Sequence, residues 1–307
     1  MFGSDQFRSW FGAGRRQESG SRPASIPLEI TASARTDPGR VRQRNEDAVL
    51  FHMSNEASDS PRKSGTLAIL ADGMGGASGG SVASAMAVHE IARSYFANAK
   101  DPTHVALKLA VESANEQIYG LSLHEEHLHG MGTTCVALAI DPPFAWAAWV
   151  GDSRLYLIRG GQIYQMSEDH SLVHEMVRRG LLTNEEATRH EDRNVVTRSL
   201  GSHADVEIAL WPEEYPIRAG DRFLLCSDGL HDLIPAADIL QIVKEGPADT
   251  VSRRLIDEAN ARGGYDNISA ILVDLNEAGS KGQQPVPATR ESPVQVTDPP
   301  DTRAGSE

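Results

Sequence analysis

The sequence predicts an α+β fold in which packed antiparallel β-sheets are covered by helices. Three observations predict it. Strand-like and helix-like stretches come in runs rather than in strict alternation. The strand-like stretches in the middle of the chain are short and adjacent, with tight turns between them. The helix-like stretches carry their apolar residues on one side, the pattern of helices laid on a sheet.

In chain order, residues 48–52 and 66–71 read as strands, and amphipathic helices follow at 81–97 and 103–121. The second helix carries Leu107, Val111, Ala114, Ile118 and Leu121, one stripe at helical spacing. Residues 133–140, 145–150 and 154–159 read as strands, and Gly160-Gly161 turns the last of them into 162–165. The stretch 169–190 reads as helical and largely polar, with Leu172, Val173, Met176 and Val177 as its apolar face. Residues 222–226 and 268–273 are strands again, separated by helices near 235–244 and 250–262.

The chain has 307 residues, 40% of them hydrophobic, which is enough for a core that needs no disulfide or metal staple. Its two cysteines, Cys135 and Cys226, each sit within an apolar run and read as buried reduced thiols, pointing to a reducing compartment. No apolar stretch approaches the roughly 20 residues that a membrane span needs. The first residues lack the uninterrupted apolar segment of a secretory signal, so a cytoplasmic location is expected. A formal charge of −14 argues against nucleic acid as the main partner and suits a protein that binds cations. Residues 1–27 read as a flexible extension in which Phe7, Trp10 and Phe11 would share one helical face and offer a docking peptide. Residues 277–307, rich in Pro, Gln, Thr and Asp, read as a disordered tail. The domain between them is expected to span 28–276.

The chemistry is carried by acidic residues at the ends of apolar runs. Asp72-Gly73 follows Leu67 to Ala71 at once, and Asp228-Gly229 follows Phe223 to Ser227. Asp266-Asn267 precedes the last strand, Asp152 follows Trp149-Val150-Gly151, and Asn45-Glu46-Asp47 opens the strand at 48. One Asp-Gly after a strand is ordinarily a turn. Several carboxylates at strand ends, gathered on one rim of a sandwich, would repel unless a cation neutralised them. An all-oxygen set selects hard ions, Mg2+ or Mn2+. A carboxylate shared by two such ions would hold them roughly 4 Å apart, as in two-metal hydrolases.

The ordered set Arg42-Gln43-Arg44-Asn45-Glu46-Asp47, Asp72-Gly73-Met74-Gly75-Gly76, Met131-Gly132-Thr133-Thr134, Gly151-Asp152-Ser153-Arg154, Ser227-Asp228-Gly229-Leu230 and Asp266-Asn267 resembles the protein phosphatase 2C family. The likeness runs from about residue 30 to 274 and is nearest to the bacterial branch. Residues 168–201 resemble the flap segment beside the active site of those enzymes. The resemblance implies an antiparallel β-sandwich with helices on both outer faces, in αββα layers, and a small helical flap.

It also implies the residue roles. Asp72 is expected to bridge two ions, with the Gly73 carbonyl on the second. Asp228 and Asp266 are expected to hold the first ion, with Glu46 contributing directly or through water and Asp47 standing behind it. Asp152 with Asp228 matches a third, weaker metal site, to which Asp232 would add. Arg42 matches the arginine that anchors the substrate phosphate, whose oxygens suit a guanidinium fork. The implied reaction is hydrolysis of phosphoserine and phosphothreonine in proteins by a metal-activated bridging water, without a phosphoenzyme. By the same resemblance the partners are phosphorylated proteins and an opposing Ser/Thr protein kinase. One departure stands out: the position that in eukaryotic members holds a histidine, proposed as general acid, is Met74, and a thioether donates no proton.

Other readings fare worse. The glycines near residue 75 do not complete a dinucleotide fingerprint, because its third glycine would fall on Ser78. His124, His127 and His129 lack the spacing of a zinc site. A catalytically dead, phosphoprotein-binding regulator would generally have lost metal carboxylates, yet Asp72, Asp228 and Asp266 are all present. A two-metal hydrolase of small phosphoesters remains as the alternative enzyme.

Overall fold

In the computed structural model, the structure describes residues 27–54, 65–75, 79–98 and 100–279. The expected docking residues Phe7, Trp10 and Phe11, the expected tail beyond 279, and Gly76 of the glycine-rich motif lie outside them.

Two antiparallel sheets form the centre. One runs β1 (Leu28–Asp37), β12 (Ile268–Glu277), β11 (Arg222–Cys226), β7 (Arg154–Arg159), β8 (Gln162–Gln165). The other runs β10 (Tyr215–Pro216), β6 (Phe144–Val150), β5 (Cys135–Asp141), β3 (Gly65–Met74), β2 (Asp47–Ser54). The short strands β4 (Gly132–Thr133) and β9 (Ala209–Leu210) pair with β3 and β6.

Strand alternation assigns each side chain to a layer. On β3, Ala68 and Leu70 face the other sheet and meet Leu155, Leu157, Phe223, Leu225, Ile271 and Val273 in one core. Leu67, Ile69 and Ala71 face the opposite way, onto helices α1 (Gly79–Ala97) and α2 (Thr103–His124), where Ala83, Ala87, Ile91, Leu107, Val111 and Ile118 are buried. Beyond the other sheet, Tyr156, Ile158, Leu224 and Leu272 pack on helices α6 (Ala236–Val243) and α7 (Ala248–Ala261) through Ile239, Val243, Val251 and Leu255. The layers are therefore helix, sheet, sheet, helix. Strands buried on both faces read as continuous apolar runs, which is why β3, β5 and β11 stand out in the sequence. Cys135 and Cys226 are both free, and burial pushes both thiols up to about 12.

The expected elements are present with three differences. Residues 28–37 form a ten-residue strand that the sequence reading left unassigned, although Leu28, Ile30, Ala32 and Ala34 alternate with polar residues; it is held by β12 in full register from Leu28↔Glu277 to Asp37↔Ile268. The expected strand at 133–140 is broken at Thr134, whose hydroxyl and amide are both taken by Asp72. The expected helix at 169–190 is two short ones, α3 (Leu172–Arg178) and α4 (Asn184–Ala187), and of its expected apolar face only Val173 is buried. Gly180, at φ +71, ends the first, and Thr183 starts the second with a capping box to Glu186.

Candidate active site

The two Asp-Gly pairs fold differently from the turns that such pairs usually make. Asp72-Gly73 stays in β3, and Asp47 on β2 is the register partner of Asp72. The glycine is required by a close approach: a Cβ on Gly73 would stand 2.1 Å from the Gly80 carbonyl oxygen and 2.6 Å from that of Glu46. Helix α1 thus begins against the backbone of the strand that carries Asp72. Asp228-Gly229 opens the one-turn helix α5 (Asp228–His231) after β11, and a Cβ on Gly229 would meet the Asn267 carbonyl oxygen at 2.1 Å. Both glycines let segments distant in sequence touch at the backbone.

These contacts draw the acidic residues to one rim. A cavity of about 320 Å³ is lined by Arg42, Glu46, Asp72, Gly73, Asp152, Asp228 and Asp266. Its other walls are Met74, Gly75, Thr134, Asn267 and, from the flap, Asn194 and Val196. Seven of the nine expected site residues therefore share one cavity. Asp47 does not line it: buried below, it accepts a 2.8 Å hydrogen bond from Ser227 Oγ. Asp232 does not line it either: it follows α5, exposed, with Oδ1 3.3 Å from His231 Nδ1.

Two residues that the sequence reading gave no role hold this rim together, and a third walls it from the flap. Asn267 Oδ1 accepts from Glu46 N at 2.8 Å, while its Nδ2 donates to the carbonyls of Arg44 (2.8 Å) and Pro38 (3.1 Å). It thereby fastens the loop bearing Arg42 and Glu46 beside Asp266. Thr134 Oγ1 accepts from Asp72 N at 3.0 Å and lies 2.7 Å from Ser153 Oγ, joining the Asp72 strand to the Asp152 turn. Asn194 is exposed on the flap and reaches the cavity. The signal for Asn267 and Thr134 was their place inside the quoted motifs. Asn194 lay in the stretch 168–201 that resembles the flap, though nothing in that stretch marked it as the residue to reach the cavity.

The electrostatics are those of crowded carboxylates. Burial, then the charges of Asp47, Asp228 and Asp152, hold Asp72 well above the usual carboxylate range. Burial and Asp266 push Asp228 up to about 7, and burial and Asp228 push Asp152 up to about 7. Burial raises Asp47 to about 6 against the hydrogen bonds of Ser269 and Ser227, and its Oδ1 has no hydrogen-bond partner. Burial also raises Glu46, partly offset by Arg42. Burial works against Asp232 too, but the His231 hydrogen bond holds it below the ordinary range. Among the described residues the one cationic side chain on the cavity wall is Arg42, whose Nη2 donates to Asp266 Oδ2 at 2.7 Å.

Among the described residues no three His, Cys, Asp or Glu side chains stand in a ready-made metal cage; the carboxylates line the walls instead. The donor set still fits hard divalent cations: it is all oxygen, partly desolvated, and raised by its own repulsion, the condition that a cation relieves. His124, His127 and His129 sit apart from it, on a segment where His124 Nδ1 lies 2.6 Å from the Gly120 carbonyl.

An αββα sandwich with an acidic cavity at one rim, an arginine on its wall and a flap beside it is the architecture of a metal-dependent phosphatase. A sequence model described as Protein phosphatase 2C matches residues 40–261. A serine/threonine phosphatase of Listeria innocua is 36% identical over 256 residues, covering 80% of this chain and 96% of the relative. The crystal structure of the Mycobacterium tuberculosis serine/threonine phosphatase PstP/Ppp superposes with a TM-score of 0.72 at 35% identity, covering 80% of this chain and 99% of that one. A structure of the PstP catalytic domain in complex with two manganese ions gives 0.69 at 34% identity, covering 81% and 100%. The chain belongs to the protein phosphatase 2C family, in its bacterial branch.

Proposed function

We propose that the chain is a protein serine/threonine phosphatase that hydrolyses phosphoserine and phosphothreonine in protein substrates by direct attack of water. The observation that carries this reading is the convergence of Asp72, Asp228, Asp266 and Arg42 on one cavity. Asp72, Asp228, Asp266 and Glu46, with the Gly73 carbonyl, are the groups to hold two divalent cations, Mn2+ or Mg2+. Asp152 with Asp228 would serve a third, and Asp232 and Asp47 would support them from behind. Such cations, when bound, activate water toward phosphorus and offset charge on the phosphoryl oxygens.

The chain's own residues supply position and charge. Arg42 is open to an incoming phosphate, its side chain being 54% exposed beside Asp266, and its fork matches two phosphoryl oxygens. Asn267 keeps Arg42 and Glu46 on the same loop, so phosphate and cation sites move together. Thr134 and Ser153 orient Asp72 relative to Asp152. Asn194 and Val196 close the cavity on the flap side, where the peptide flanking the phosphoresidue would pass. Met74 stands on the wall without a transferable proton, so the leaving hydroxyl takes its proton from solvent in the site.

The catalytic unit spans 28–276, with residues 1–27 and 277–307 as appendages to it and Phe7, Trp10 and Phe11 as a docking peptide. An opposing Ser/Thr kinase is the natural partner of such an activity. None of the described helices is long and apolar enough to cross a membrane, and we place the enzyme in the cytoplasm. The test is turnover of a phosphothreonine peptide and of a small chromogenic phosphate ester with Mn2+. Preference for the peptide supports the reading, whereas preference for the small ester would make the chain a small-phosphoester hydrolase.

A further inference from the structure

One flap residue grips the turn that presents Asp152. Gly151, immediately before it, has φ +102, a left-handed conformation that an L side chain resists, and a Cβ there would strike Thr134 Cγ2 at 2.6 Å. Both hydrogen-bonding groups of Gly151 are taken by His170. The Gly151 amide donates to His170 Nδ1 at 3.1 Å, and the His170 amide donates to the Gly151 carbonyl at 3.0 Å. The first bond fixes the tautomer, with Nδ1 as acceptor and the proton on Nε2. The imidazole is buried and stacks at 16° on the indole of Trp149, two residues before Gly151. On its other side the Asp152 carbonyl lies 3.2 Å from His231 Nε2.

The same histidine anchors the flap. Its carbonyl accepts the Thr197 amide at 2.8 Å, and the next residues continue the ladder through the Ser171↔Val196 bridge and the Leu172 amide on the Val195 carbonyl at 2.9 Å. Asn194 and Val196, carried by that return strand, are the flap's wall of the cavity. Next to it, Asp169 is held by Arg154 through contacts of 2.6 to 3.1 Å, which pins the flap root to β7.

We propose that His170 is a positioning residue that ties the flap to the Asp152 turn: its imidazole holds the Gly151 amide on the acidic wall, while its main chain carries the flap on the substrate wall. This rests on the reading of Asp152 as a cation ligand. Loss of the imidazole acceptor would leave the Gly151 amide buried without a partner and free the turn that presents Asp152, while the main-chain bonds of the flap stay in place. His170 touches neither phosphate nor cation.

The experiment compares full-length wild type, His170→Asn and His170→Ala. Asparagine Oδ1 stands where Nδ1 stood and restores the acceptor; alanine removes it. Mn2+ binding is followed by calorimetry, and backbone amide exchange at Gly151 and Thr197 by NMR. The expected result is that His170→Ala weakens the weakest Mn2+ step at least tenfold and loses protection at the Gly151 amide, while the Thr197 amide, bonded to the His170 main chain, keeps its own. It also raises KM for a phosphopeptide more than it lowers kcat, while His170→Asn stays within about threefold of wild type in each. Should the alanine protein not fold, His170→Gln, with its acceptor one bond further out, is expected to bind Mn2+ more weakly than His170→Asn. Equal Mn2+ affinity and equal Gly151 protection in all folded variants, whatever their melting temperatures, would overturn the proposal. A wild type that binds no Mn2+ would sink the cation reading instead, and the amide protection would then decide the clamp alone.

Discussion

Arg42 Nη2 donates to Asp266 Oδ2 at 2.7 Å across 224 residues of sequence, joining the expected phosphate anchor to an expected cation ligand. The pair is partly exposed, with side chains 54% and 32% accessible, so it contributes little to stability on its own. Its value is in binding. Arg42→Ala is expected to raise KM for phosphate esters about 10- to 100-fold, the worth of a charged hydrogen-bonded anchor, with a smaller loss in kcat. Steady-state kinetics on a chromogenic ester check this, and an unchanged KM would place the anchor elsewhere.

Burial and neighbouring carboxylates push Asp72 and Asp228 up, so their charged forms are costly until a cation offsets them. Removing either charge should therefore trade function for stability. Asp72→Asn and Asp228→Asn are expected to lose at least about a thousandfold in turnover, the scale of removing one key electrostatic group from a site. Their metal-free melting temperatures should equal or exceed that of wild type. Calorimetry beside the kinetic assay separates the two effects, and a variant that keeps turnover would refute its assignment as a ligand.

Chelation should abolish turnover, and Mn2+ should restore it. Because the cations bind the folded carboxylate rim and not the unfolded chain, Mn2+ at 100 times its Kd should stabilise the protein by about 2.7 kcal/mol. Thermal shift with and without EDTA reads this directly. No shift and no loss of turnover would remove the cation from the mechanism.

Gly73→Ala is expected to be among the most disruptive small substitutions in the domain. The new methyl would stand 2.1 Å from the backbone oxygen of Gly80, an atom that no rotamer change can move away. A destabilisation of about 1–3 kcal/mol or more is expected, together with loss of activity as α1 is pushed off the Asp72 strand. Denaturant unfolding checks it.

Stability should fall as the solution is acidified through the His170 range. Burial, then Arg198, depresses this imidazole to about 4, below its ordinary value of about 6.5. The unfolded chain takes up the proton first, so this contribution is fully present above about pH 6.5 and is lost as the pH falls toward 4. It amounts to about 3 kcal/mol at most. Denaturation midpoints of wild type and His170→Asn at pH 7.5 and 5 test the sign: the gap between them should narrow at pH 5.

The sequence alone determined which residues would matter and most of the layers. Apolar runs such as 67–71 and 223–226 mark doubly buried strands, and an acid at the end of each run marks where the rim would be, because these signals are local. What depends on backbone crossing was invisible. Strand β1 alternates apolar and polar residues, but its place at the sheet edge comes from ten register partners on β12, more than 200 residues away. The Asp-Gly pairs look like turns in sequence and become a strand and a helix start, because Gly80 and Asn267 pack against them. Asn194 and His170 lay within the flap-like stretch, but which of its residues would meet the cavity and Gly151 was set only by the folding of that segment onto the rim. Residue chemistry is written locally; which carboxylates share a cavity, and what holds them there, is decided by the long-range packing that brings them together.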